Sequence, residues 1–149
     1  TSSSYVEKDE MFDLSELINQ IVQKYNNQNI SISILEEVYL NGRKNLIKRC
    51  INNLIDNSIK YGDKVKIELS KKNSSLFIKI EDNGPGIPEK EYENVFKPFY
   101  KIDKARADSK SSVGLGLSIA SDIVQSHGGN IKLEKSSLNG LCVKIFLPV

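Results

Sequence analysis

The chain has 149 residues, enough for one hydrophobic core and too few for two comfortable ones, and its 39% hydrophobic and 27% charged content argues against a disordered or fibrous class. A net charge of +2, from 21 basic and 19 acidic residues, gives no sign of a surface built to wrap nucleic acid. Cys50 and Cys142 lie far apart in apolar patterns, without zinc-site spacing, and no apolar run approaches the ~20 residues needed to cross a bilayer.

Residues 1–12 are polar and are predicted to form a tail or linker. Asp13, followed by Glu16, resembles a capping box, and Leu14, Leu17, Ile18, Ile21 and Val22 carry helical spacing toward Asn26 and Asn27. Ile30, Ile32 and Ile34 alternate with polar residues as a strand with one buried face does. A second helix is predicted from Arg43 to Tyr61. Three further alternating runs follow: Val65, Ile67 and Leu69; Leu76, Ile78 and Ile80; and Leu141, Val143, Ile145 and Leu147. Their opposite faces are polar, apart from Phe77 and Phe146. A third helix is predicted from Leu115 to Ser126, closed by Gly128 and Gly129. Between the second and third helices, residues 97–113 form a polar stretch long enough to be read as a lid. Sheets with one wet face collect their helices on the other. The predicted fold is therefore α+β, a two-layer α/β sandwich. Its mixed, mostly antiparallel sheet of about five strands is covered on one face by three helices.

Candidate chemistry concentrates at three places. On the second helix, Asn53, Asn57, Lys60 and Arg49 form a polar stripe beside an apolar face. Asn57 falls between Leu46 and Cys50 around the helix, where a half-buried amide needs either a neighbouring loop or a bound ion as partner. One amide oxygen together with substrate phosphates suits magnesium. Lys60, one turn from Asn57, could reach a phosphate or simply be a solvated helix end, and Tyr61 could stack on an adenine ring. Asp82 continues the buried face of Leu76, Ile78 and Ile80, so its carboxylate needs hydrogen-bond donors, for which the exocyclic amine of adenine is suitable. The run Asp82-Asn83-Gly84-Pro85-Gly86 permits a tight turn and close approach to a ligand. Gly114-Leu115-Gly116-Leu117 opens the third helix, where free N–H groups can cradle phosphate; the glycines would otherwise serve loop geometry alone. The pattern of a P-loop is absent from the sequence.

Taken in order, these segments resemble the catalytic and ATP-binding domain of sensor histidine kinases, within the superfamily that includes gyrase and mismatch-repair ATPases. Asn53 to Tyr61 is similar to that family's asparagine box, Asp82 to Gly86 to its first glycine box, Phe96-Lys97-Pro98-Phe99 to its phenylalanine box, and Gly114 to Leu117 to its second glycine box. The resemblance covers residues 13–149 and implies a Bergerat-type fold that takes ATP and Mg2+. It implies Asn57 as the magnesium ligand, Asn53 as a phosphate or metal-shell contact, Lys60 as a phosphate contact, Tyr61 beside adenine and Asp82 as the adenine reader. Gly84 and Gly86 would shape the base pocket, Gly114 and Gly116 would hold phosphates, and Ile87, Phe99, Leu115 and Leu117 join the nucleotide-binding set. Lys101 and Arg106 would approach the terminal phosphate, and Phe96 and Phe99 would anchor the lid's first hinge by apolar packing.

The resemblance also separates activities. Asn53 stands where the family's ATPases have a glutamate that activates water, and an amide cannot serve as a general base, so phosphoryl transfer is favoured over hydrolysis. It implies a protein histidine kinase that transfers the γ-phosphate to a histidine on a separate dimerisation domain of a dimeric protein, with a response regulator downstream. The expected setting is a cytoplasmic domain of an inner-membrane protein anchored outside this chain, of the osmosensor subgroup. Ser112 replaces the first glycine of the second glycine box. That departure leaves open a non-catalytic nucleotide-binding module, and the shared fold leaves open an anti-sigma serine kinase. The only histidine, His127, is expected to be structural, at a helix end that would also favour its cation.

Overall fold

The computed structural model describes residues 6–26, 29–100 and 113–149. The elements run β1 (Glu10–Asp13), α1 (Leu14–Gln23), β2 (Ile30–Ile34), β3 (Tyr39–Gly42), α2 (Lys44–Tyr61), β4 (Val65–Lys72), β5 (Ser75–Asp82), α3 (Val113–Ser126), β6 (Asn130–Lys135) and β7 (Leu141–Pro148). Single turns of 3-10 helix at Glu89–Glu91 and Asn94–Phe96 follow β5.

The main sheet has the order β2-β4-β5-β7-β6, with β2 parallel to β4 and every other pairing antiparallel. Its register aligns buried side chains in rows across the strands. Leu69, Ile78, Ile145 and Ile131 form one row, and Ile67, Ile80, Val143 and Leu133 the next. The three helices contribute Leu17, Ile18 and Ile21, then Ile47, Ile51, Leu54 and Ile55, then Leu117, Ala120 and Val124, all buried in the same cluster. Removing this apolar area from water, at about 25 cal/mol per Å², is what holds the two layers together. On the other face Phe77 and Phe146 stand opposite each other, ring centroids 5.7 Å apart, which explains why two aromatics interrupt a polar surface.

The predicted sandwich is thus present, with β1, β3 and β6 beyond the four strands that alternation marks. β1 and β3 pair antiparallel as a separate two-stranded sheet that buries Phe12 and Leu40. Part of the stretch predicted to be a polar tail is therefore strand, and it reaches further into the fold. The Glu7 carboxylate accepts from the backbone N–H of Asn45 at 2.8 Å and of Leu46 at 3.2 Å, capping α2, whose own N-cap residue Arg43 makes no side-chain cap bond. Helix α1 is capped as predicted, Asp13 accepting from the Glu16 N–H at 3.1 Å. It ends at Gln23, earlier than expected. At the end of α3, Gly128 has φ +79°, and the N–H groups of Gly128 and Gly129 return to the carbonyls of Gln125 and Val124, the paired bonds of a Schellman cap.

His127 ties this end of α3 to the start of α2. Its Nε2 accepts from the Arg43 N–H at 3.0 Å, while Nδ1 lies 2.8 Å from the Ile123 carbonyl. A backbone N–H can donate only to an unprotonated ring nitrogen, so the bonds select the neutral Nδ1–H tautomer. These two bonds to backbone fit the expected structural role.

Candidate nucleotide site

The site lies at the end of the sheet where β5 stops. Asp82 occupies the next position on the buried face after Ile80, opposite Val65, and is 5% exposed. Three donors meet its carboxylate: Oδ1 accepts from the N–H of Gly84 at 2.9 Å and of Leu141 at 3.2 Å, and the Ser58 hydroxyl on α2 donates to it as well. Burial pushes the Asp82 carboxyl above the ordinary aspartate value, outweighing the lowering effect of these bonds.

Close backbone approach explains the glycines around it. A Cβ on Gly84 would come within 2.6 Å of the Tyr61 carbonyl oxygen, and one on Gly62 within 2.9 Å of Asn83 Oδ1. A Cβ on Gly140 would overlap the carbonyl and carboxylate oxygens of Asp82. Gly86 has φ +73°, which favours glycine. Asn83 closes the turn, its Oδ1 accepting from the N–H groups of Asp63 at 2.9 Å and Lys64 at 3.0 Å.

Helix α2 brings its polar stripe to the same end. Asn53, Asn57 and Lys60 are half-buried, and Tyr61 is 38% exposed at the helix end. Across the α2–α3 contact, where the Cys50 thiol meets the Ala120 carbonyl at 3.7 Å, the first turn of α3 faces Asn57. A Cβ on Gly116 would lie 3.7 Å from Asn57 Oδ1, so the glycine leaves space over the amide oxygen. Gly114 and Leu115 belong to that first turn by their backbone.

One expectation needs correction and others fall outside the described residues. Leu117 is 1% exposed and belongs to the core, so its side chain supports the turn from behind. Phe96 packs against the core as expected, next to the buried Val95, and Ile87 is half-buried there. Phe99 does not pack: it is 74% exposed with φ +63°, a backbone geometry after Pro98 that turns the ring outward. Lys101, Arg106 and Ser112 lie outside the described residues, as does most of the expected lid. Sequence reasoning assigned no role to Ser58, Gly140 or the Leu141 N–H. The buried Asp82 implied donors without identifying them, since Leu141 is 59 residues away.

Residues 42–149 match the family described as histidine kinase-, DNA gyrase B- and HSP90-like ATPases. The chain is 36% identical over 107 residues, 72% of its length, to the sensor histidine kinase GtrS of Pseudomonas aeruginosa. It is 34% identical over 117 residues to the sensor histidine kinase WalK of Bacillus subtilis, covering 75% of this chain. These alignments cover 22% and 19% of the two relatives, so the chain spans about a fifth of their length. Among solved structures, the catalytic domain of histidine kinase ThkA matches with a TM-score of 0.82 at 26% identity, covering 95% of each chain. The histidine kinase domain of the Escherichia coli osmosensor EnvZ matches with a TM-score of 0.74 at 28% identity, over 97% of this chain and 91% of that one. The chain belongs to the histidine kinase-, gyrase B- and HSP90-like ATPase family, and within it is an ATP-binding catalytic domain of the sensor histidine kinase type.

Proposed function

We propose that this domain binds Mg-ATP between α2, the turn after β5 and the start of α3, and presents the γ-phosphate to a histidine on a separate dimerisation domain. The observation that carries this reading is Asp82: a buried carboxylate, held in one orientation by Gly84, Leu141 and Ser58, at the mouth of a glycine-lined turn. An anionic acceptor there selects a ring bearing an exocyclic amine and repels one bearing a carbonyl. Tyr61, at the end of α2, would flank the base. Gly84, Gly86 and Ile87 would form the floor of the base pocket, and the N–H groups at Gly114 to Gly116 would receive the phosphates with help from Lys60.

Magnesium takes oxygen ligands and keeps several waters, so a single amide oxygen facing a space left open by glycine fits it. Asn57 would hold the ion, which would offset phosphate charge during transfer. Asn53, half-buried one turn earlier, would contact phosphate or the shell of the ion, and its amide cannot abstract a proton, which favours transfer over hydrolysis. Lys101 and Arg106 would bring positive charge to the terminal phosphate, and a response regulator would then receive the phosphoryl group. The domain is proposed to be cytoplasmic and joined to a membrane anchor by other parts of a longer protein; among the described residues no helix is long and apolar enough to cross a membrane.

The test is phosphoryl transfer from γ-labelled ATP to the cognate dimerisation domain added in trans. Label should appear on that domain's histidine and disappear with Asn57→Ala. Release of free phosphate without labelling of the histidine would contradict the reading.

A further inference from the structure

Glu81, one residue before Asp82, points to the opposite face of β5, where Lys79 is half-exposed, yet Glu81 is only 5% exposed itself. A carboxylate is buried at high cost unless donors surround it. Here they come from one segment. Glu81 Oε1 accepts from the Ser136 hydroxyl at 2.9 Å, the Ser137 N–H at 3.1 Å and the Ser137 hydroxyl at 3.3 Å. Burial acts to raise its carboxyl, but the bonds from Ser136 and Ser137 and the nearby Lys79 charge outweigh it and hold the group below the usual carboxylate range.

Ser136 begins the turn between β6 and β7, and the turn is braced within itself. The Ser136 N–H reaches the Gly140 carbonyl at 2.9 Å, and the Leu138 N–H reaches the Ser136 hydroxyl at 2.9 Å. Its far end is the surface that touches Asp82. Gly140 lies so close that any Cβ would overlap the Asp82 oxygens, and the Leu141 N–H is one of the donors that fix Oδ1. Gly86 also packs on it, since a Cβ there would sit 3.5 Å from the Gly140 carbonyl oxygen. Two consecutive carboxylates on opposite faces of one strand therefore grip the two ends of a single turn.

We propose that Glu81 is a positioning residue for base recognition: by holding the Ser136–Gly140 turn against Asp82, it fixes the carboxylate orientation that distinguishes adenine from guanine. The proposal rests on the reading of Asp82 as the base-selecting group. Glu81 lies behind the strand and contacts neither base nor phosphate in this arrangement; its effect is transmitted through Gly140 and Leu141. Releasing the turn removes one of the bonds that orient Oδ1, and a carboxylate free to rotate discriminates less between an amine and a carbonyl. Phosphate and magnesium contacts on α2 and α3 are untouched.

The experiment measures dissociation constants of Mg-ATP and Mg-GTP for the whole chain and for Glu81→Ala, Glu81→Gln and Ser136→Ala, with thermal unfolding recorded for each. Glu81→Ala should reduce the ATP-over-GTP preference by about tenfold, the size expected for one lost oriented hydrogen bond, mainly through weaker ATP binding. Glu81→Gln, whose amide oxygen can still accept from Ser136 and Ser137, should retain most of the preference. Ser136→Ala should show a smaller loss in the same direction, and it carries the test if Glu81→Ala does not fold. An unchanged preference in a folded variant, equal weakening of both nucleotides, or a Gln variant as impaired as Ala would overturn the proposal. A wild-type chain that binds both nucleotides without preference would overturn the role of Asp82 and the proposal with it, whereas a selective wild type with an equally selective Glu81→Ala would overturn the proposal alone.

Discussion

Asn57 and Gly116 face each other across the contact between α2 and α3, with 3.7 Å between the amide oxygen and the place a Cβ on Gly116 would occupy. That is ordinary van der Waals contact, so alanine fits at 116 without strain. It would fill the space proposed for magnesium and phosphate.

Gly116→Ala should therefore separate stability from binding. Alanine inside a helix is favoured over glycine by about 0.5–1 kcal/mol, so the unfolding temperature should stay level or rise. Mg-ATP affinity should fall at the same time. Titration calorimetry beside thermal unfolding checks both, and a variant that binds as tightly as wild type would remove Gly116 from the phosphate site.

Acid should act on the two adjacent carboxylates in opposite directions. Glu81 is held below its ordinary value of 4.5, so its contribution to stability is complete above that pH and is lost as pH falls through its folded value. The stability advantage of wild type over Glu81→Gln should shrink on acidification below 4.5. Asp82 is raised above 3.8, so protonation relieves its burial cost while weakening it as an acceptor. ATP affinity should begin to fall at a higher pH than an ordinary aspartate would dictate, and this component should be missing in Asp82→Asn. Binding curves over a pH series measure the difference.

The Glu7 cap predicts that the segment before β1 stabilises the helix carrying Asn53 and Asn57. Glu7→Ala should cost about 1 kcal/mol, the usual size of a lost N-cap. In a domain of this length that lowers the unfolding temperature by roughly 2–4 °C. Glu7→Gln, which can still accept one bond, should lose less.

His127→Ala should destabilise by about 1–3 kcal/mol, because the Arg43 N–H loses its acceptor. Phosphoryl transfer to the dimerisation domain should persist at temperatures where the variant is folded. Loss of transfer in a folded variant would give His127 a chemical role that its two backbone bonds do not suggest.

What could be read in the sequence was what repeats or sits next to its partner. Alternation marked β2, β4, β5 and β7, the Asp13–Glu16 pair marked the start of α1, and a carboxylate on the buried face of β5 pointed to the candidate site. β1 and β3 have four residues each, too few for alternation to register, and β6 places only Ile131 and Leu133 inward. Glu7 and Glu81 were hidden for another reason. Each is an acidic residue in a polar pattern whose donors lie 38 to 56 residues away, a distance at which neither spacing nor periodicity carries information. Phe99 failed in the opposite sense: its apolar side chain promised packing that its backbone conformation turns away.

Asn57 is proposed to hold the magnesium ion of the ATP site. Titration calorimetry of ATP into the wild-type chain and Asn57→Ala, each with Mg2+ and with a chelator, tests it most directly. Binding by wild type should depend on magnesium, and Asn57→Ala should lose at least about tenfold in affinity with an unchanged unfolding temperature. Equal, magnesium-dependent affinities for the two proteins would contradict it.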